Sequence, residues 1–329
     1  MLSFLLLAFA LLLLFVGAEA LVRGAASLAL RLGLSRLAVG LTVVAFGTSA
    51  PELVVSVEAA LAGSGDLALG NVVGSNIFNV AVILGLAALI CPIPVRERIV
   101  RLDAPLALGA ALLLWPLLAD GRIARVEAAL LLAILGGYTA LNLVLARRRV
   151  REGLQDWPDA PLAAGEGSLA WDLAGLALGL LLLVLGSELL VEQAIAIARR
   201  LGVSEAVIGL TLVAAGTSLP ELATSLVAAV RRQPDIAIGN VVGSNVFNIL
   251  GILGAAGLLA PLAAPQVAWR DLAILTVVSV LLLPLLYTGR LLHRLEGALL
   301  LAALRALSRL AVAAVSRGDR SFLGRAGSA

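Results

Sequence analysis

Two glutamates carry the chemistry available to this chain, and both arrive in the same company. Glu52 closes Gly47-Thr48-Ser49-Ala50-Pro51-Glu52, and Glu221 closes Gly216-Thr217-Ser218-Leu219-Pro220-Glu221. A second polar string, Gly70-Asn71-Val72-Val73-Gly74-Ser75-Asn76-Ile77-Phe78-Asn79, returns at residues 239–248. All four strings lie in otherwise apolar stretches. A carboxylate near the centre of a helix in lipid costs about several kcal/mol, so two at equivalent places point to a site that uses them. Pro51 and Pro220 lack an N–H, so the carbonyls of Gly47 and Gly216 lose their helical partners. Freed carbonyls at membrane depth are tolerated only where protein or a polar cavity meets them. Thr48 and Glu52 are four apart, as are Ser75 and Asn79, which puts each pair on one helical face.

These groups sum to carboxylates, hydroxyls, amide oxygens and free carbonyls. Cys91 and His293, the only cysteine and histidine, lie outside the motifs. That is an all-oxygen set, suited to a hard cation. Calcium takes 6–8 oxygens in flexible geometry, whereas magnesium demands stricter octahedra and keeps its water. Zinc and copper prefer nitrogen or sulfur. Two glutamates balance one Ca²⁺, and the same oxygens can be shared among several Na⁺. Small residues at four-residue spacing also pack membrane helices, and Gly70, Gly74, Gly239, Gly243, Ser56 and Ser225 are assigned to that role. Glu19 and Glu188 sit near span ends and are read as snorkelling to the interface.

The elements that position this set must cross a membrane. Hydrophobic residues make up 61% of the 329 and charged residues 14%, with a mean hydropathy of +1.07. An ordinary soluble domain carries about 25% charge, so this chain cannot cover soluble surfaces. Disorder and a disulfide scaffold are excluded on the same composition. At about 20 apolar residues per span, ten candidates appear. They are residues 1–22, 37–62, 67–91, 103–119, 126–146, 170–191, 206–230, 235–260, 271–288 and 295–315. The first resembles a signal peptide with Ala18-Glu19-Ala20 as its cleavage site, but it lacks a basic leader and is read as a span.

All 24 basic residues are arginines in short runs, which mark topology rather than a nucleic-acid face. One set of alternate loops holds 14 of them and the other set 5. The arginine-rich side is cytoplasmic by the positive-inside rule. This predicts an outside N-terminus and a cytoplasmic linker at residues 147–169.

The chain is duplicated. A shift of 169 residues aligns 41–80 with 210–249, with 24 of 40 positions identical. The same shift pairs Gly17 with Gly186, Glu19 with Glu188, Arg101 with Arg270 and Glu127 with Glu296. The expected organisation is a five-helix repeat at 1–146, the linker, a second repeat at 170–316 and a polar tail at 317–329. Five is odd, so the second repeat enters the membrane from the opposite side. Inverted repeats of this kind recur in secondary transporters, with ion sites at the repeat interface near the midplane.

Together the GTSAPE and GTSLPE motifs, with GNVVGSNIFN and GNVVGSNVFN, resemble the two α-repeats of sodium/calcium exchangers, in the calcium/cation antiporter superfamily. The resemblance spans nearly the whole chain. It implies an all-α integral membrane fold of ten helices, with spans 2, 3, 7 and 8 surrounding four ion positions. Spans 1 and 6 would slide across this core. The resemblance assigns calcium to Glu52 and Glu221, with the backbone carbonyls of Thr48 and Thr217. It assigns sodium to Ser49, Ser75, Ser218 and Ser244, with the carbonyls of Ala45 and Ala214. Asn79 and Asn248 close the ring. Potassium-dependent relatives carry Asp at the position of Asn248, so potassium co-transport is not expected.

The expected function is exchange of Na⁺ for Ca²⁺ by alternating access in the cell membrane. Its substrates are the two ions, with no cofactor, no nucleic-acid partner and no enzymatic activity. The alternative on the same fold is H⁺/Ca²⁺ antiport, with the glutamates carrying protons. An intramembrane enzyme would need a nucleophile and a base. A passive channel would not need inverted repeats with broken helices.

Overall fold

The computed structural model describes residues 2–151, 168–203, 214–265 and 269–305, and it is built of helices. They are α1 (Leu2–Arg31), α2 (Arg36–Thr48), α3 (Ala50–Leu61), α4 (Gly65–Ile90), α5 (Ile99–Leu117) and α6 (Arg125–Arg151). Then follow α7 (Leu169–Arg200), α8 (Ala214–Gly216), α9 (Leu219–Val230), α10 (Pro234–Leu259), α11 (Trp269–Tyr287) and α12, residues 294–305. Among the described residues, seven helices are long and apolar enough to cross a membrane, or eight if the bent pair α2–α3 is one span. Part of the seventh expected span and the end of the tenth lie outside the described residues, as does the tail at 317–329.

The helices outrun their apolar stretches. α1 continues from the expected end at residue 22 to Arg31, and α7 from 191 to Arg200. A hydropathy window stops at the first charges, but a helix continues while its backbone bonds are made. Glu19 shows what the extension does. It does not simply snorkel: its carboxylate takes Arg23 on its own helix at 2.5 Å and Arg231, just beyond α9, at 2.7 Å. Its duplicate Glu188 is exposed. α1 and α7 cross at backbone contact, where a Cβ on Gly17 would stand 2.9 Å from the Gly179 carbonyl oxygen. Small residues let membrane helices approach this closely.

Among the described residues, four two-residue strands tie the halves together. β1 (Ile93–Pro94) pairs antiparallel with β4 (Leu291–Leu292), and β2 (Arg122–Ile123) pairs with β3 (Leu262–Ala263). Adding 169 turns β1 into β3 and β2 into β4, so the two ribbons are copies of one contact. Glu127 and Glu296 have matching roles as well. Each accepts a backbone N–H three residues back, from Ala124 and from His293, both at 2.7 Å. This is the reciprocal half of a capping box, and it starts α6 and α12.

One buried cluster breaks the duplication. The Arg98 guanidinium lies 3.3 Å from Asp103, whose other oxygen accepts the Tyr138 hydroxyl at 2.9 Å. The counterparts of Arg98, Asp103 and Tyr138 are Val267, Leu272 and Leu307, all apolar. Removing one partner of a buried ion pair strands the other charge, at a cost of about 3–5 kcal/mol, whereas replacing both with apolar residues is often neutral. Asp103→Leu and Arg98→Val are therefore each expected to lower thermal stability in detergent sharply. The double substitution, which copies the second half, should recover most of the loss. Equal, additive losses would show that the pair is not a stabilising unit.

Candidate functional site

Each glutamate stands just past a break in its helix. α2 and α3 meet at Ser49 with a bend of 47°. Ser49 has φ −81° and ψ 8°, outside the helical well, and Pro51 occupies the first turn of α3. The missing N–H is harmless there, because first-turn N–H groups have no intrahelical partner. Glu52 is thus held in a first turn, where free N–H groups and the helix dipole favour negative charge. The second half repeats this, with Ser218 at φ −87° and ψ 7° and Glu221 in the first turn of α9. The break corrects one expectation: Thr48 and Glu52 do not share the face of one continuous helix, because Ser49 separates them. Further along, α4 widens into a π-helical stretch at Asn79–Leu84 and α10 into another at Phe247–Ile252. Such insertions re-aim side chains and are frequent at functional sites.

The two halves bond to each other's motifs. Ser49 Oγ donates to Glu221 Oε1 at 2.8 Å, and Ser218 Oγ donates to Glu52 Oε1 at 2.9 Å. Thr48 Oγ1 donates to Asn240 Oδ1 at 3.1 Å, and Thr217 Oγ1 to Asn71 Oδ1 at 3.4 Å. Asn71 Nδ2 donates to Ser56 Oγ at 2.9 Å and to the Glu52 carbonyl at 3.2 Å. Asn240 Nδ2 does the same to Ser225 at 3.0 Å and to the Glu221 carbonyl at 3.4 Å. Asn79 Nδ2 donates to Asn245 Oδ1 at 3.1 Å, and Asn248 Nδ2 to Asn76 Oδ1 at 3.4 Å. Exchanging every residue for its counterpart 169 positions away turns one bond of each pair into the other.

Glycines bring the backbone close enough for the remaining contacts. A Cβ on Gly243 would stand 2.7 Å from the Leu41 carbonyl oxygen, and one on Gly239 would stand 3.1 Å from Gly40. α2 therefore lies directly on α10, and the Ala45 carbonyl accepts Ser244 Oγ at 3.4 Å. It also takes the Ser49 N–H at 3.1 Å. Gly239 and Gly243 thus pack as the sequence suggests. For Gly70 and Gly74 the counterpart neighbours, residues 204–213, lie outside the described residues. Ala214 begins α8, at the edge of what is described.

Thr48, Ser49, Glu52, Ser75, Asn79, Ser218, Glu221, Ser244 and Asn248 are all buried, and Thr217 is half-buried. Within this set Glu52 Oε2, Glu221 Oε2, Ser75 Oγ, Asn79 Oδ1 and Asn248 Oδ1 have no hydrogen-bond partner among the described residues. A buried acceptor without a partner costs about 1–3 kcal/mol, and more when charged. An oxygen-rich set carrying two carboxylates can recover that cost by coordinating a cation. Sequence reasoning passed over Asn71, Asn240, Asn76 and Asn245, and it assigned Ser56 and Ser225 to packing. The structure shows both serines accepting amide bonds. Their signal was identity in both copies, which exceeds what close packing requires.

The serine bonds carry a test. A hydrogen bond to a charged group contributes about 1.5–3 kcal/mol. Ser49→Ala and Ser218→Ala should each weaken cation binding to the purified protein by about tenfold or more, and by similar factors, since the bonds are copies. Equilibrium binding of labelled calcium measures this. Unchanged binding in both variants would remove these hydroxyls from the site.

Comparison with known proteins shows the family and the fold. The family model described as sodium/calcium exchanger protein matches residues 2–144 and 171–306. The sodium/calcium exchanger MaX1 of Methanosarcina acetivorans is 32% identical over 333 residues, covering 91% of this chain and 95% of that one. The inner membrane protein YrbG of Escherichia coli is 36% identical over 274 residues, covering 82% and 84%. A solved structure of the sodium-calcium exchanger NCX_Mj superposes with a TM-score of 0.78 at 32% identity, covering 95% of this chain and 98% of that one. The chain is a multi-pass membrane protein and belongs to the sodium/calcium exchanger family.

Proposed function

We propose that this chain exchanges Na⁺ for Ca²⁺ across the cell membrane by alternating access. The observation that carries the reading is the reciprocal pair Ser49–Glu221 and Ser218–Glu52, which joins two buried carboxylates to the motifs of the opposite half. Calcium takes Glu52 and Glu221, with the backbone carbonyls of Thr48 and Thr217. Sodium takes Ser49, Ser75, Ser218 and Ser244, with the carbonyls of Ala45 and Ala214, and Asn79 and Asn248 complete the ring. MaX1 and NCX_Mj are named as exchangers of these two ions, which supports the assignment.

The architecture belongs to the same reading. Ten spans form two inverted repeats at 1–146 and 170–316, joined by a cytoplasmic linker at 147–169, with the N-terminus outside. The paired bonds and ribbons that interchange under a 169-residue shift support the repeats. α9 and α12 supply partial spans where the seventh and tenth belong. H⁺/Ca²⁺ antiport is the second reading, favoured by one observation: both carboxylates are buried, where a proton can replace a cation.

Three Na⁺ per Ca²⁺ would move one net charge per cycle. A tenfold sodium gradient supplies about 1.4 kcal/mol per ion. A potential of about 100 mV adds about 2.3 kcal/mol for the net charge. With three ions the total is about 6.5 kcal/mol, which holds a calcium gradient between about 10⁴- and 10⁵-fold. In proteoliposomes, an outward sodium gradient should drive labelled calcium uptake, and a proton gradient alone should not. An interior-negative, valinomycin-clamped potential should slow that uptake, because positive charge leaves with sodium. Uptake indifferent to voltage would rule out three-to-one exchange, and uptake driven by protons alone would favour the second reading. Glu52→Gln and Glu221→Gln should each abolish uptake while the protein still elutes as a folded species, since each supplies half the charge that balances Ca²⁺.

A further inference from the structure

An asparagine can offer a cation either an oxygen or an NH₂ group, and something must decide which. At Asn79 and Asn248 the deciding groups come from the opposite half of the chain. Asn245 Oδ1 accepts the Asn79 amide nitrogen at 3.1 Å, and Asn76 Oδ1 accepts the Asn248 amide nitrogen at 3.4 Å. With each nitrogen engaged, Asn79 Oδ1 and Asn248 Oδ1 are left buried without a partner among the described residues, as is Asn76 Nδ2. Asn76 and Asn245 are themselves buried, and they lie three residues before Asn79 and Asn248 in the duplicated string. From this geometry we infer that Asn76 and Asn245 are positioning residues, which lock the amides of Asn248 and Asn79 so that oxygen faces the cation.

The inference rests on the proposed cation site and adds a requirement to it. A carboxylate presents oxygen whichever way it turns, so an aspartate at 248 would need no such lock. An amide there does need one. If the lock is lost, the amide can turn its NH₂ toward the ion, which removes a ligand and opposes the charge. Partners that orient metal ligands are typically worth about 10–100-fold in affinity. The exchange of roles between halves is also a coupling. The string that supplies one amide ligand carries the lock for the other, so the two amides are oriented only when the halves are docked.

The test is rescue. Calcium binding to the purified full-length protein is measured for Asn76→Leu, Asn248→Asp and the double variant, with Glu52→Gln as the control for the site itself. Leucine keeps the shape of asparagine and removes the acceptor. Asn76→Leu should weaken calcium binding by about 10–100-fold. In the Asn248→Asp background the same substitution should have little effect, because no amide remains to be oriented. Wild-type affinity in Asn76→Leu, or an equal loss in both backgrounds, would overturn the inference. If Asn76→Leu does not fold, Asn245→Leu with and without Asn79→Asp asks the same question from the other half, with the same outcomes deciding it. Wild-type binding in Glu52→Gln would instead sink the site, and the positioning role with it. Loss in Glu52→Gln but not in either leucine variant would sink the positioning role alone.

Discussion

Everything in this molecule follows from holding two carboxylates at membrane depth. Neither Glu52 nor Glu221 has a cationic side chain as its bonded partner among the described residues; each has a serine hydroxyl from the other half. An arginine would neutralise the site and leave nothing for a cation to do. A hydroxyl steadies one carboxylate oxygen and leaves the second, Oε2, without a partner among the described residues, as the proposed cation site requires. The breaks at Ser49 and Ser218 serve the same end, because they put each glutamate in a first helical turn. There the backbone supplies the partial positive charge that lipid cannot. Removal of either half would leave the other's carboxylate buried without its donor.

The arrangement explains why the duplicated strings are so polar and so alike. Apart from Ser75, the threonines, serines and asparagines in them bond across to the other half or support a residue that does. The bonds recur in copies, so a substitution in one string is felt in the other. The glycines at 239 and 243 set the distance at which this can happen. Outside the strings the duplication relaxes. The Arg98–Asp103–Tyr138 cluster exists in the first half only, and the Glu19–Arg231 pair bridges the halves without a copy, since the counterpart of Arg231 is Ala62. These are the places where the two sides of the molecule differ in polarity and charge.

Much of this was legible from residue types. Composition requires membrane helices, and the 169-residue shift exposes the duplication in the sequence itself. The twelve candidate ligands came from motif matching, and the structure joins Thr48, Ser49, Glu52, Thr217, Ser218 and Glu221 by direct bonds or through Asn71 and Asn240. What remained hidden depended on three-dimensional closeness. A local reading places Thr48 and Glu52 on one face, because helical spacing says nothing of a bend at Ser49. It assigns Ser56 and Ser225 to packing, because the amides they accept lie 15 residues away in sequence. It leaves Asn76 and Asn245 without a role, because their partners are in the other half. Two helices extend past their expected spans for a different reason: apolarity marks the bilayer, while backbone bonding sets the length of α1 and α7.

The central claim is that one set of oxygens serves both ions in turn. Equilibrium binding of labelled calcium to the purified protein, as Na⁺ is raised at constant ionic strength and pH, tests it most directly. Shared oxygens require Na⁺ to displace Ca²⁺ completely, with a Hill slope in Na⁺ above one, because several sodium ions replace one calcium. Calcium binding indifferent to Na⁺ would contradict the account.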